Sequence, residues 1–290
     1  MRIAVVGNGA WGSAFAALLR EREHEVALVG REPEGADEVE AADLIAVAVP
    51  SRAFRAVVEA LPGRAPVLIL TKGLDPTTGE RLSRVVGERP VAVLSGPNHA
   101  EEIAAGLPAA AVIASEDEAL AAELQHAVIS ARFRVYVNPD VVGVELCAAS
   151  KNVIALAAGA VDGLALGDNG KAALMARGLA EMVRLGDACG ARSETFSGLA
   201  GLGDLVVTCW SRYGRNRRAG ELIARGMAPT DAEATIGQVV EGLTTAPALR
   251  ALAHRVGVEL PITEAVCSVL EGASLAALVA GLMERRPTDE

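Results

Sequence analysis

Residues 3–12 read Ile3-Ala4-Val5-Val6-Gly7-Asn8-Gly9-Ala10-Trp11-Gly12. Four apolar residues so close to the N-terminus read as a short buried strand. The strand runs into Gly7-x-Gly9-x-x-Gly12, and a helical pattern follows at once in Ala14, Phe15, Leu18 and Leu19. Strand, glycine turn and helix in that order are the context a dinucleotide fingerprint requires. Gly7 permits the sharp turn, Gly9 lets backbone approach a pyrophosphate, and Gly12 lets the helix lie against the strand. The helix start adds free N–H groups and a positive dipole end. This stretch implies a bound dinucleotide.

Outward from it, residues 25–29 read as a second strand that ends in Gly30-Arg31-Glu32. That is roughly 20 positions beyond Gly12, where such folds inspect the adenosine ribose. Arg31 would pair with a 2′-phosphate and Glu32 would accept from a 2′-hydroxyl. Because the arginine comes first, NADPH is favoured over NADH. Further strands are expected at 44–49, 66–70, 91–94, 109–114 and 132–137. The acidic segment 32–43 is too short for a full helix, so that crossover is minimal. Helical patterns lie between most of the others, which predicts a mostly parallel, doubly wound sheet of the Rossmann type. Ligands sit beyond the carboxyl ends of such strands. Two loops fall there, Thr71-Lys72-Gly73 and Ser95-Gly96-Pro97-Asn98-His99.

After Asp140 the alternation stops, and Ala/Leu-rich helical patterns run from 141 to 283. The expected organisation is an α/β dinucleotide-binding domain over 1–140 and an all-helical substrate domain over 141–290, with the active site in the cleft between them. The chain has 290 residues, half of them hydrophobic, and a net charge of −10. That balance argues against a nucleic-acid or anionic-membrane surface. Its four cysteines are widely spaced, which suggests neither a metal site nor a disulfide framework. Residues 3–6 are too short for a signal peptide, and apolar runs such as 153–161 are too short to span a bilayer. A soluble cytoplasmic protein without membrane insertion is expected. The apolar helical face over 275–282 makes a homodimer the expected assembly.

The chain uses 24 arginines but only three lysines, Lys72, Lys151 and Lys171. Where arginine serves as the general-purpose cation, a retained lysine is informative, because lysine sheds its proton near neutral pH when desolvated. Lys151 lies among Ala149, Val153, Ile154 and Ala155. It either snorkels to solvent from a helix end or stands partly desolvated as a general acid/base. Asp204, in the glycine-dense stretch 198–205, is a candidate partner for that amine or a simple N-cap. The run Ser211-Arg212-Tyr213-Gly214-Arg215-Asn216-Arg217-Arg218 is the densest cationic segment and precedes a helix, a combination that makes a phosphate site. Glu241, in Gln238-Val239-Val240-Glu241-Gly242, would accept from a ribose or amide, or cap the next helix.

Taken in order, Gly-x-Gly-x-Trp-Gly, Thr-Lys-Gly, Ser-Gly-Pro-Asn-His-Ala-Glu-Glu, Ser-Lys-Asn, Gly-Leu-Gly-Asp-Leu, Arg-Asn-Arg and Val-Val-Glu-Gly run through nearly the whole chain. Together they resemble the bacterial-type NAD(P)-dependent glycerol-3-phosphate dehydrogenases. The resemblance implies hydride transfer between NAD(P)H and dihydroxyacetone phosphate or sn-glycerol 3-phosphate, supplying glycerophospholipid synthesis. It implies Lys151 as the proton acceptor in the oxidative direction. Lys72 would touch substrate and cofactor, and Gly96, Asn98, Asp204, Gly214, Arg215 and Asn216 would hold the substrate. Trp11, Arg31, Ala100, Arg215, Val239 and Glu241 would line the dinucleotide beside Gly7, Gly9 and Gly12. Two departures from the family stand out: the segment between Arg31 and Asp43 is much shorter than usual, and Gly214 replaces a common serine. A 3-hydroxyacid or 6-phosphogluconate-type dehydrogenase shares the plan but tends to place lysine and asparagine a helical turn apart, whereas Lys151 and Asn152 are adjacent.

Overall fold

The computed structural model describes residues 1–30 and 35–275. Seven strands form one sheet: β1 (Arg2–Val6), β2 (Glu25–Val29), β3 (Leu44–Val47), β4 (Val67–Ile69), β5 (Val91–Ser95), β6 (Ala109–Ala114) and β7 (Phe133–Asn138). Among them lie α1 (Ala10–Glu21), α2 (Ala36–Glu40), α3 (Ser51–Glu59), α4 (Leu82–Val85), α5 (Ala100–Ala104) and α6 (Glu118–Val128). From α7 (Val141–Gly163) the described chain is helical, through α8 (Gly167–Ala188), α9 (Ser193–Ser197), α10 (Asp204–Trp210), α11 (Arg215–Ala224), α12 (Pro229–Ile236), α13 (Glu241–Val256) and α14 (Pro261–Leu270). The minimal crossover expected over 32–43 is the five-residue α2. Arg31 and Glu32, and the expected apolar face beyond Leu275, lie outside the described residues.

The strand order is β2-β1-β3-β4-β5-β6-β7. β3 and β4 are buried along their whole length, which explains their continuous apolar reading. One layer packs α1, α5 and α6 on the sheet through Phe15, Leu19, Ile103 and Leu124, against Ile3, Val5, Leu68 and Ile113. The opposite layer carries Phe54, Val58 and Leu82, and its core continues without a break into the helical half through Val144, Leu156 and Leu249. A fully buried side chain of this size contributes about 1.5–3 kcal/mol, so this shared core holds the two halves together. β2 and β3 flank β1 on opposite sides, and the crevice opens at the Gly7 turn, the switch point of the sheet.

The sheet is mostly parallel, as the alternation implies, with one antiparallel pairing. β5 and β6 are antiparallel, with Val93 opposite Ala114 and Ser95 opposite Val112. The link between them holds only the short α5, so the chain folds back instead of crossing over. β6 then passes so close to the end of β5 that a Cβ on Gly96 would meet the Ala111 Cα at 2.9 Å.

The apolar run at 153–161 belongs to a longer helix than its own length suggests. α7 spans 23 residues and by length and composition could cross a membrane, but 89% of its most apolar window is buried inside the protein. Its backbone meets that of α11, since a Cβ on Gly159 would lie 1.8 Å from the Arg217 carbonyl oxygen and one on Gly220 1.9 Å from that of Leu156. This contact brings the start of α11 against the turn of α7 that carries Lys151 and Asn152.

Candidate active site

Four elements converge on one buried carboxylate. Lys72 follows β4 in a loop pinned to β3, where the Thr71 hydroxyl donates to the Val49 carbonyl at 2.7 Å. Its Nζ donates to Asp204 Oδ2 at 2.8 Å, Asn98 Oδ1 at 2.7 Å and the Gly96 carbonyl at 3.0 Å. Lys151, 5% exposed in the middle of α7, donates to Asp204 Oδ1 at 2.7 Å and to the Thr208 hydroxyl at 2.8 Å. The Ser95 hydroxyl completes the ring from the end of β5, 3.4 Å from Asp204 Oδ2.

Lys151 thus points into the interior rather than snorkelling, and the N-cap alternative for Asp204 does not hold. Asp204 lies in the first turn of α10 with Gly203 at the cap position, and its oxygens face the lysines. A π-helical turn over Leu199–Gly203 precedes it, packed so tightly that a Cβ on Gly201 would lie 2.1 Å from the Phe196 carbonyl oxygen. Such turns recur at functional sites because they re-aim the following side chain.

Burial pushes the Lys72 ammonium down from its usual 10.5 to about 8; the Asp204 charge opposes the shift and Lys151 adds to it. Burial alone would raise the Asp204 carboxyl, but both lysines outweigh it and hold it below the ordinary carboxylate value. His99 is lowered by burial and by the same two cations. Two ammoniums against one carboxylate leave a buried cluster of net positive charge suited to a phosphorylated or oxyanionic ligand. Within it the buried Nδ2 of Asn98 has no partner among the described residues, so it is a donor for a bound molecule to engage.

The first dozen residues form a second, adjacent cradle. Gly7 has φ +114°, and a Cβ there would stand 2.6 Å from the Ala48 carbonyl oxygen. A Cβ on Gly12 would stand 1.8 Å from the Gly7 oxygen, whereas one on Gly9 meets nothing within 4 Å. Gly7 and Gly12 therefore serve packing, and Gly9 faces open space at the start of α1. Trp11 Nε1 is buried there without a partner among the described residues. Open backbone, a helix start and an orphaned donor fit a dinucleotide. Ala100 opens α5 and packs in the apolar layer against α1.

The cationic run divides. Arg217 is committed to Asp162 at 2.8 Å and Glu221 at 3.0 Å, and Arg212 lies over the Tyr213 ring at 4.9 Å. Exposed Arg215 donates to the Val239 carbonyl at 3.3 Å. Gly214 is buried, and a Cβ there would stand 2.6 Å from the Thr208 carbonyl oxygen, so serine could not replace it without a shift. Asn216 donates to Asn152 Oδ1 and accepts from the Gly242 N–H, each at 2.9 Å. Glu241 caps a helix, but not its own: it accepts from the Ser51 N–H and hydroxyl at the start of α3. Lys171, the third lysine, stands apart, paired with Asp162 at 2.5 Å and over the Trp210 ring at 4.9 Å.

The sequence assigns no site role to Thr208, Ser95 or Ser51, although Ser51 reads as a helix cap and Ser95 as the start of a ligand-facing loop. Thr208 had a signal, since it lies four residues after Asp204 and so on the same helical face. The pairing of Ser95 with Asp204 and of Ser51 with Glu241 had none, because the partners are remote in the chain.

The family model described as NAD-dependent glycerol-3-phosphate dehydrogenase N-terminus matches residues 2–42 and 36–121, and its C-terminal counterpart matches 140–279. A Moorella thermoacetica protein named glycerol-3-phosphate dehydrogenase (NAD(P)+) is 43% identical over 99% of this chain and 97% of its own length. A Shouchella clausii protein of the same name is 40% identical over 93% of this chain and 91% of its own. The crystal structure of glycerol-3-phosphate dehydrogenase from Coxiella burnetii superposes with a TM-score of 0.91, at 37% identity over 98% of both chains. With both family models matched and full-length relatives at this identity, the chain belongs to the NAD-dependent glycerol-3-phosphate dehydrogenase family.

Proposed function

We propose that this chain interconverts sn-glycerol 3-phosphate and dihydroxyacetone phosphate, with Lys151 as the proton-transfer group. The observation that carries this reading is the single, buried carboxylate of Asp204 held between Lys72 and Lys151. A bound nicotinamide dinucleotide supplies or takes up the hydride. Gly9 and Trp11 hold it at the turn that Gly7 and Gly12 shape, with Ala100, Val239, Arg215 and Glu241 beside it. In reduction the Lys151 ammonium gives its proton to the oxygen of the former carbonyl; in oxidation the amine takes it back. Asp204 orients that lysine through Oδ1, which accepts from its Nζ at 2.7 Å. Lys72, with Gly96 and Asn98, aligns the substrate oxygens and adds positive charge where negative charge develops. The first turn of α11, with Gly214, Arg215 and Asn216, receives the phosphate through N–H groups and a guanidinium fork.

The same reading divides the chain near residue 140 into a dinucleotide-binding domain and a helical substrate domain. It takes NADPH as the preferred cofactor because Arg31 follows β2, places the enzyme as a homodimer in the cytoplasm, and directs its product to glycerophospholipid synthesis. The test is dinucleotide absorbance with NADPH and NADH on adding dihydroxyacetone phosphate. The oxidised cofactors are then offered 3-hydroxybutyrate and 6-phosphogluconate. Oxidation of NADPH by the triose phosphate supports the reading; turnover confined to either of the other substrates overturns it.

A further inference from the structure

Ser51 opens α3 in the sheet-bearing half, and Glu241 opens α13 in the helical half, 190 positions later. Glu241 Oε1 accepts from the Ser51 N–H at 3.2 Å, and Oε2 from the Ser51 hydroxyl at 2.5 Å. The carboxylate therefore caps α3 from across the molecule, with Ser51 only 2% exposed. The joint extends to the loop that carries Lys72. A Cβ on Gly73 would stand 3.1 Å from Ser51 Cβ and 3.2 Å from Thr245 Oγ1, so α3 and α13 press on that loop together. On its other flank the Lys72 carbonyl accepts from Asn152 Nδ2 at 3.2 Å. Asn152 is tied through Asn216 to the Gly242 N–H, the residue after Glu241. A chain of hydrogen bonds thus runs from α3 through α13, α11 and α7 to the loop of Lys72, whose Gly73 packs back against Ser51.

We propose that Ser51 and Glu241 form a latch that holds the cofactor-bearing half and the lysine-bearing half in reacting register. Ser51 is then a positioning residue, and the Glu241 carboxylate acts through α3 rather than only through a contact with the dinucleotide. The proposal rests on the function given above and adds a residue to it. A charged group bonded twice to a buried helix start is a strong tie, and its partner Ser51 Oγ has no direct part in the chemistry. A small misplacement between hydride carrier and proton donor is costly to turnover, which is why such a tie matters to rate.

The test is a double-mutant cycle on the full-length protein with Ser51→Ala, Glu241→Gln and the pair, read as kcat, KM for dihydroxyacetone phosphate, and NADPH affinity by fluorescence titration. The latch predicts that Ser51→Ala lowers kcat by roughly tenfold with NADPH affinity within about twofold, and that the pair is no worse than Glu241→Gln alone. Ser51→Ala within twofold of the parent in kcat, or losses that multiply in the pair, overturns the proposal. If the alanine protein is unstable, Ser51→Cys, which keeps the size and weakens the bond, is read by the same criteria. A parent enzyme inert toward dihydroxyacetone phosphate would overturn the proposed function instead. The cycle is then read in thermal unfolding midpoints, where non-additive shifts support the tie and additive ones reject it.

Discussion

Lys72 and Lys151 donate to opposite oxygens of one carboxylate, at 2.8 and 2.7 Å, although one follows a strand of the sheet and the other sits in the middle of α7. Asp204, 1% exposed, is the countercharge that allows both ammoniums to be buried. Asp204→Asn should therefore destabilise the protein by about 3–5 kcal/mol, the range for breaking a buried pair on one side. Differential scanning calorimetry checks this. Because Asp204 raises the Lys72 value against burial, the same change should shift the alkaline limb of kcat/KM to lower pH.

Lys72 at about 8 makes a second statement. For the free enzyme, kcat/KM toward the phosphorylated substrate should fall as pH rises through about 8, because the aligning ammonium is lost there. Lys72→Arg should lose overall rate but keep no such limb, since the guanidinium stays charged. Stability runs the other way. A depressed ammonium costs stability while charged, and that cost is relieved between about 8 and 10.5, where the folded protein has released a proton the unfolded chain still binds. Parallel pH–rate and pH–unfolding profiles separate the two.

Gly9 and Gly12 belong to one motif but should fail differently. A Cβ on Gly9 meets open space, so Gly9→Ala should fold with an unchanged midpoint and weaken dinucleotide binding by roughly 1–3 kcal/mol through a clash with the ligand. Gly12→Ala places its Cβ 1.8 Å from the Gly7 oxygen and should lower the unfolding midpoint itself. Calorimetry and NADPH titration on both variants check the contrast.

Arg215 and Arg217 divide in the same way. Arg215→Ala should weaken the phosphorylated substrate by roughly 1.5–3 kcal/mol, the worth of a charge-assisted hydrogen bond, with little effect on the midpoint. Non-phosphorylated dihydroxyacetone should be far less affected. Arg217→Ala cuts the tie to Asp162 and Glu221 and should act on stability first. Steady-state kinetics with both ketones, alongside thermal unfolding, decides this.

Much of this was legible in the chain itself, and the exceptions share a cause. Strands such as Leu44–Val47 and Ala109–Ala114 lie where the apolar runs lie, because both faces of the sheet are covered there and these strands are apolar throughout. The direction of β6 was not legible, since composition carries no sign of which way a strand runs. Lys72, Lys151 and Asp204 stood out through lysine scarcity and glycine density. Asp204 reads from the sequence as a candidate partner for Lys151, but its second bond to Lys72, like the Ser51–Glu241 tie, joins residues too far apart for any spacing rule. The arginine run read as one phosphate site, yet Asp162, 55 positions upstream of Arg217, removes that arginine from it.

The most direct measurement is kcat of Lys151→Ala with NADPH and dihydroxyacetone phosphate, alongside its NADPH affinity. Loss of the proton-transfer group predicts kcat lower by roughly 10²–10⁴-fold with dinucleotide affinity unchanged. A kcat within twofold of the parent enzyme would contradict the account, because the reaction would then proceed without the one buried amine it assigns to the proton.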